Sequence, residues 1–595
     1  MKCSKAWWQS IRMLVAAISL AGLTFVLGPA GWTQEQKPGV PSPAIRVSVR
    51  LVLADAVVTD KDGKVITGLG AQDFTVLEDG KPQKVTMVLF EQPAQMARAL
   101  SSRRANLPPN VITNRPEYRM PSGALAILLL DALNTPVQDQ AHARMEMLKY
   151  LDKQLQPGQQ VAVYTLVRSL RMLQDFTDDP ALLKAAVQGF NPSVSMELQI
   201  ADINKRLPRL SGAEADSGVR HPATDPGQYI ARMQEFYEDQ ANLATDERVG
   251  ITLTAFREIA QAVAGLPGRK SLVWVSGAFP IATYTRVIQY SADAINDPNS
   301  KRFNELYEDR LRQADSILTD AQVAVYAVDA RGLVGQLLGG AESSGLSAAG
   351  TLVTGAEYGQ NVQLASGSLQ DSQATMKQVA TDTGGKVFIN QNDLDHSVAL
   401  SVQDGASYYL LGYSPETKPD GKFHKIEVKV NRPGATVRAR RGYFAIVPGD
   451  DAKAVKLRDA AVGMAMQYGS PGATGVTFDA RVTPPAAAAK MKVGIDFIVD
   501  PSTISARDDG GGKNLAVEFH AAAYGANRKL AGQKDVAIKP TLKPADFTRI
   551  QQQGLPYHVD VELPPGRYLL RLGVVDQHSG YIGTADMPLV LEGPK

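Results

Sequence analysis

Cysteine is almost missing from this chain of 595 residues; the only one is Cys3. No intramolecular disulfide can form, and a Cys-based zinc or iron–sulfur centre is excluded. Net charge is equally scarce. Lys and Arg number 63 against 61 Asp and Glu, a formal +2, which gives no reason to expect a nucleic-acid backbone or an acidic polymer as partner. Beyond the first thirty residues no apolar run approaches the ~18 residues of a membrane span. Catalytic signatures are missing as well. Gly63, Gly80, Gly385, Gly421 and Gly512 each precede a lysine, but none lies in a phosphate-binding loop. No HExxH occurs, and the seven histidines include no pair at metal-ligand spacing. Gly345-Leu346-Ser347 begins like a nucleophile elbow, but Ala349 takes the place of the second glycine. Asp60-Lys61-Asp62-Gly63 begins like a calcium loop and lacks the later ligands, so a hairpin turn accounts for it.

What is present is a chain 44% hydrophobic and 21% charged, enough to fill three or four cores at about 150 residues per domain. The first thirty residues read as an export signal: Lys2, Lys5 and Arg12, then an apolar run from Met13 to Gly28, then small residues. An uncleaved anchor is the alternative, and it would be the chain's one tie to a membrane. The leader's three positive charges are matched by no acid, so its removal takes the formal charge from +2 to −1. It also removes the lone cysteine.

Residues 31–44 are a polar, proline-bearing linker. From 45 to 92 period-two alternation and the Asp-Gly turns at Asp62-Gly63 and Asp79-Gly80 predict a small β module. A second linker, 93–122, leads into strands alternating with helices over 123–446. Runs such as Ala124–Leu130, Val161–Val167, Ser271–Val275 and Val323–Val328 are apolar throughout, as strands buried on both faces must be. The sheet is expected to continue into strands at 408–413, 423–430 and 436–445. Two insertions interrupt this domain: 191–245, polar with helical stretches, and 332–370, read as a mobile loop rich in Gly, Ser and Ala. A helical linker at 447–475 precedes seven or so short strands over 476–595, which predict a β-sandwich. The fold class expected is therefore multidomain. A central doubly wound, mostly parallel α/β sheet of Rossmann-like character lies between an N-terminal β module and a C-terminal β-sandwich.

Asp131 ends the strand 124–130 within Asp131-Ala132-Leu133-Asn134-Thr135. Ligands of open α/β sheets sit beyond the carboxyl ends of strands, where a carboxylate followed by a hydroxyl four residues on could direct oxygen at one cation. Capping of the next helix by Asp131 and Asn134 is the competing reading of the same residues.

These residues sit within a longer likeness. The α/β region resembles the von Willebrand factor type A domain, whose first strand is followed by Asp-x-Ser-x-Ser. The run from Ile45 to Ala445 resembles VWFA-related proteins of the acidobacterial type. VVTDKDGKVITGLGAQDFTVLEDGKPQKV at 57–85, LLLDALNT at 128–135, LPGRKSLVWVSG at 266–277 and YAVDARGL at 326–333 carry that likeness, with SYYLLGYSP and VRARRGYF further on. The resemblance implies a metal site that transfers poorly. Asp131 and Thr135 match the motif, while Leu133 stands where the first hydroxyl belongs. Thr252 and Thr254 are candidates for the later threonine, and Ser276-Gly277 replaces the usual Asp-Gly. Losing a hydroxyl and a carboxylate removes ligands that Mg²⁺ needs, so no cofactor is expected beyond weak Mg²⁺ or Mn²⁺.

The function expected is that of an exported, non-enzymatic adhesion or scaffold protein, periplasmic, cell-surface or extracellular. It would bind a protein or cell-surface ligand and no nucleic acid. The loops 131–136, 276–282 and 331–370, with Asn134, Ser276, Gly277 and Arg331, form the candidate surface. The alternatives are a structural subunit of a cell-envelope assembly and, with nothing positive behind it, an envelope hydrolase with an unrecognised site.

Overall fold

Four strands of the chain have every side chain buried: Leu125–Asp131, Gln160–Leu166, Lys270–Ser276 and Val323–Asp329. They are the middle of a six-stranded sheet in the computed structural model. That model describes residues 52–91, 107–108, 110–119, 124–203, 226–277, 279, 298–332, 355–415, 420–445, 452–483, 485 and 491–593. The leader, the 31–44 linker and part of the 276–282 and 331–370 loops lie outside the described residues.

The sheet runs Lys386–Phe388, Val323–Asp329, Lys270–Ser276, Leu125–Asp131, Gln160–Leu166, Leu170–Thr177. All neighbours are parallel except the last pair. Side chains alternate across a strand, so each strand feeds two cores. Leu125, Ile127 and Leu129 pack with Phe256, Ile259, Leu311 and Val379, beneath the helices Pro226–Val263, Pro298–Asp320 and Gly355–Asp382. Ala126, Leu128 and Leu130 pack with Met147, Leu183 and Val398, beneath Val137–Lys153, Pro180–Gly189 and Leu394–Asp404. A sheet covered on both faces favours apolar side chains in the middle of its strands, which is why the apolar runs are continuous; the buried polar residues Gln160, Lys270, Asp131, Ser276 and Asp329 stand at strand ends.

Three expectations fail, the third of them in the C-terminal region described below. The strands Tyr408–Tyr413, Phe423–Val430, Thr436–Ala439 and Gly442–Phe444 do not extend the central sheet. Tyr408–Tyr413 lies between Val52–Thr59 and Val85–Glu91, and Thr436–Ala439 pairs on the other side of Val52–Thr59. Phe423–Val430 pairs with Phe74–Glu78 and Gly442–Phe444. Some fifty N-terminal residues cannot close a core alone, and these later strands supply the other half. Val52, Ala54, Ala56, Phe74 and Val76 share one core with Tyr409, Leu411, Tyr413, Ile426 and Val428. The second failure is the loop reading of 332–370: its last sixteen residues begin the helix Gly355–Asp382. The Gly, Ser and Ala content there hides the helical period.

The C-terminal region forms two four-stranded antiparallel sheets around a core of Phe478, Ile495, Phe497, Phe519, Val561, Leu570, Leu572 and Val574. One of those strands, Val111–Thr113, comes from the segment read as the 93–122 linker and pairs with Phe478–Thr483. The helix Ala452–Ala465 rests on this sandwich. The fully buried Arg571 donates through Nε to the Ala465 carbonyl at 2.7 Å and through Nη1 to both carboxylate oxygens of Asp586.

Arg269, 1% exposed, joins the N-terminal sandwich to the central sheet. Its Nη1 forms an ion pair with Asp55 on the strand Val52–Thr59, and Nη2 donates to the Gly384 carbonyl at 2.7 Å. Its main-chain N–H donates to the Tyr408 hydroxyl at 3.0 Å. Tyr326, on the central sheet, donates to Asp404, which also pairs with Arg438. Removing one partner of a buried ion pair strands the other charge in a low dielectric. Arg269→Ala is therefore expected to lower the unfolding free energy by about 3–5 kcal/mol, read from urea denaturation. Asp55→Asn/Arg269→Met should be milder than the sum of the single changes.

Candidate functional site

The chain leaves Leu125–Asp131 for the neighbour on one side, and after the edge strand it returns to Lys270–Ser276 on the other. The loops above these two strands therefore diverge, the place where such sheets open a crevice. Asp131 and Ser276 end the two strands there.

Asp131 is 2% exposed and accepts four hydrogen bonds. The Asn134 main-chain N–H reaches Oδ1 at 3.0 Å. Asn134 Nδ2, Trp274 Nε1 and Ser276 Oγ all reach Oδ2, each at 2.9 Å. Burial drives the Asp131 pKa upward, opposed by these same bonds from Asn134, Trp274 and Ser276, and the net direction is up. Asn134 links the carboxylate to the helix Pro226–Val263. Its Nδ2 also donates to Thr252 Oγ1 at 2.8 Å, and its Oδ1 accepts from Arg248 Nε at 3.1 Å. Thr252 donates in turn to the Arg248 carbonyl at 2.9 Å. Thr135 accepts the Gly277 N–H at 2.9 Å. A Cβ on Gly277 would stand 3.0 Å from Pro136 Cδ and 3.2 Å from Thr135 Cα, so the residue after Ser276 is held to glycine by close approach.

The structure thus brings together Asp131, Asn134, Thr135, Thr252, Ser276 and Gly277. Thr254 is not among them, because two residues along a helix turn the side chain by about 200°. Arg331 stands at the end of the next strand and folds back on Asp329, with Nε and Nη2 each 2.8 Å from its carboxylate. Gln373 donates to the same carboxylate at 3.0 Å. The reading of Asp131 and Asn134 as caps of the next helix is not borne out. The Asp131 carboxylate accepts the Asn134 N–H within the loop, but the N-cap of the following helix is Pro136, with no side-chain cap. The sequence pattern does not single out Arg248 or Trp274. Trp274 reads as a core residue of SLVWV, and its ring is indeed packed edge-on between Phe256 and Phe279 at 5.2 and 5.3 Å; only its N–H is turned to the carboxylate.

Around Asp131, every group aimed at the carboxylate presents a hydrogen. A cation would have to displace Ser276 and Asn134 and face the indole N–H, and Leu133, 1% exposed, offers no oxygen. This donor set does not fit a divalent ion.

A different group of carboxylates could hold one. Glu146, Asp393 and Asp395 bring oxygens within 4.8 Å of one another. Lys149 already stands among them, 2.9 Å from Asp395, 3.5 Å from Glu146 and 3.7 Å from Asp393. Burial opposes ionisation of Asp395, but hydrogen bonds from Asp393, Lys149 and Gln154 outweigh it and hold the carboxyl at about 2.

No protein-family model matches this chain, and none of the curated proteins does. Among solved structures it is similar to an aerotolerance-related membrane protein from Bacteroides fragilis, at 11% identity over 47% of this chain and 99% of that one, with a TM-score of 0.23. Proximal thread matrix protein 1 from the mussel byssus is similar at 11% identity over 48% of each chain, with a TM-score of 0.20. A family 2 β-glucuronidase matches at 7% identity and a TM-score of 0.14; the match covers 19% of this chain and 11% of that enzyme. At these scores the likenesses carry no functional argument, and the fold rests on the strand order above.

Trp274→Phe keeps the ring packing and removes one donor from a buried carboxylate. It is expected to cost about 1.5–3 kcal/mol of stability, measured by urea unfolding. Lys149→Ala leaves the three carboxylates without their resident cation. Added Ca²⁺ or Mg²⁺ should then raise the melting temperature of the variant more than that of the parent chain, as differential scanning calorimetry would show.

Proposed function

We propose that this protein is an exported, non-enzymatic recognition protein whose α/β domain binds a protein or cell-surface ligand without a bridging metal. The observation that carries the reading is the Asp131 carboxylate held by four donors from three residues. In domains that recognise acidic partners through a cation, the carboxylate must keep lone pairs for the ion. Here hydrogen bonds crowd Oδ2 with three donors and occupy Oδ1 with one, and they fix the loop 131–136 against Ser276-Gly277 from within. The described part of the surface, residues 131–136 with Ser276 and Gly277, is thereby given a set shape, which a binding surface needs if ordering is not to be charged against affinity.

The absence of enzymatic work is supported by the same geometry. Ser276 and Thr252 are both fully buried. One hydroxyl donates to Asp131 and the other to a main-chain carbonyl, so neither is placed to attack a substrate. Export is supported by the leader, with its basic start and short apolar run.

Two measurements test the reading. Calorimetric titration of the full chain with Mg²⁺ or Mn²⁺ is expected to show no micromolar binding that depends on Asp131; such binding, lost in Asp131→Ala, would overturn it. Cross-linking with mass spectrometry on intact cells should recover the same partners with and without EDTA. Deleting 335–353, which spares the helix from Gly355, should leave the melting temperature nearly unchanged and abolish those cross-links. Unchanged cross-links would remove this loop from the binding surface.

A further inference from the structure

Three of the seven histidines sit in the flanking sandwiches with a carboxylate beside each ring nitrogen: His424, His520 and His558, the last with a side chain 40% exposed and the first two largely buried. His424, in the N-terminal sandwich, has a side chain only 8% exposed. Its Nδ1 stands 2.8 Å from Asp79 Oδ2 and its Nε2 3.0 Å from Asp420 Oδ1. Glu78 Oε1 lies 4.0 Å from Nδ1, and the ring stacks on Tyr443 at 5.6 Å between centroids. Glu78 itself accepts from the hydroxyls of Tyr413 and Tyr443. The cations facing this group are Arg440, 5.9 Å from the Tyr443 ring, and Lys422, which acts on Asp420. Lys425 contributes its main-chain N–H to Asp79 at 2.8 Å.

His520, in the C-terminal sandwich, repeats the arrangement with other residues. Its Nδ1 is 2.8 Å from Asp535 Oδ1 on the paired strand, and its buried Nε2 is at ion-pair distance, 3.3 Å, from Glu518 Oε2 on its own strand without hydrogen-bond alignment. Across the other neighbour the register partner is Gly573, which brings no charge. The helix Ala452–Ala465 lies over this face. Its Arg458 acts on Glu518 and donates to the Gln577 carbonyl at 2.9 Å, and Gln577 donates to Glu518. Arg571, paired with Asp586, donates to the helix end at Ala465.

A neutral imidazole has one donor and one acceptor nitrogen. Set between two ionised carboxylates, it must turn a lone pair on one of them. Only the doubly protonated ring offers a hydrogen to both sides, so the geometry itself calls for the proton. We propose that His424 and His520 are structural imidazolium bridges, which make the two flanking sandwiches and the docking of the helix Ala452–Ala465 tighter in acid and looser as the solution turns alkaline.

Burial opposes the charge on each ring, but the bonds to Asp420 and Asp79 in one case, and the carboxylates of Glu518 and Asp535 in the other, outweigh it and raise both pKa values. A histidine whose folded pKa is raised contributes stability that is full below the unfolded value of about 6.5, and loses it as pH rises through the folded value.

The test uses the full chain with ¹⁵N-labelled histidine. Long-range ¹H–¹⁵N spectra at pH 7 should show the His424 and His520 rings protonated at both nitrogens, assigned by their loss in His424→Gln and His520→Gln. A single-tautomer neutral ring at either position overturns the proposal. Should either variant fail to fold, fewer than two doubly protonated rings in the spectrum of the His558→Gln chain overturns it as well. Between pH 6 and 9 the folding equilibrium constant should fall by up to about tenfold per pH unit for each bridge titrating, and the double glutamine variant should flatten that slope. An unchanged slope in a folded double variant counts against it equally.

Discussion

A guanidinium buried in the middle of the protein sets the terms for most of what surrounds it. Arg269 carries a full charge, since arginine does not give up its proton in proteins, and it lies where water does not reach. Its partners must therefore come from the chain: Asp55 from the N-terminal strand and Gly384 from the turn after the helix Gly355–Asp382, while its main-chain N–H is taken by Tyr408 from the strand that leaves the α/β domain. Asp404 extends the network by joining Tyr326 of the central sheet to Arg438 of the sandwich. The N-terminal sandwich and the α/β domain thus share one polar core as well as one boundary. Neither has a satisfied charge set without the other.

The opposite end of the same strand shows the reverse solution. Lys270–Ser276 starts beside Arg269 and ends at Ser276, where the charge to be neutralised is the Asp131 carboxylate. There the chain supplies no cation but four hydrogens, from a main-chain amide, a side-chain amide, an indole and a hydroxyl. Dipoles satisfy a buried carboxylate without a metal, at the cost of fixing every donor in place. Fixed donors mean a fixed loop. Residues 131–136, part of the proposed recognition surface, inherit their shape from that network, and the acidic cluster around Lys149 answers its charge with an ammonium instead.

The legible part of the fold was the part governed by local pattern. Continuous apolar runs at 124–130 and 323–328 could belong only to strands covered on both faces, and alternation from 476 onward could belong only to half-buried strands. Strand partners were not legible. The alternation of His424, Ile426 and Val428 with Lys425, Glu427 and Lys429 says that one face is buried, but nothing local says that the partner is Phe74–Glu78, roughly 350 residues earlier. The helix from Gly355 escaped notice because GAEYGQNVQLASGS carries too few apolar residues to show a period. At the site, the place of Asp131 followed from its position at a strand end. The roles of Trp274 and Arg248 did not, because a tryptophan in an apolar strand is first a core residue and an arginine on a long helix is first a solvated one. The direction of an indole N–H is fixed by the rings that clamp it, Phe256 and Phe279, and these come from other elements.

By itself the sequence determined what each segment can tolerate: which strands are buried on two faces, which turns need glycine, where no disulfide or thiolate metal centre is possible, and that Leu133 withholds an oxygen where a cation would need one. The tertiary structure decided what those segments do to one another. It joined residues 52–91 to 408–445 in one sandwich, brought Asp55 to Arg269, and turned the metal-binding likeness at Asp131 into a hydrogen-bonded knot. The physical reason is one of range. Propensity and alternation act over a few residues and leave their mark in order along the chain, whereas burial of a charge is settled by whichever distant group can reach it once the chain has closed.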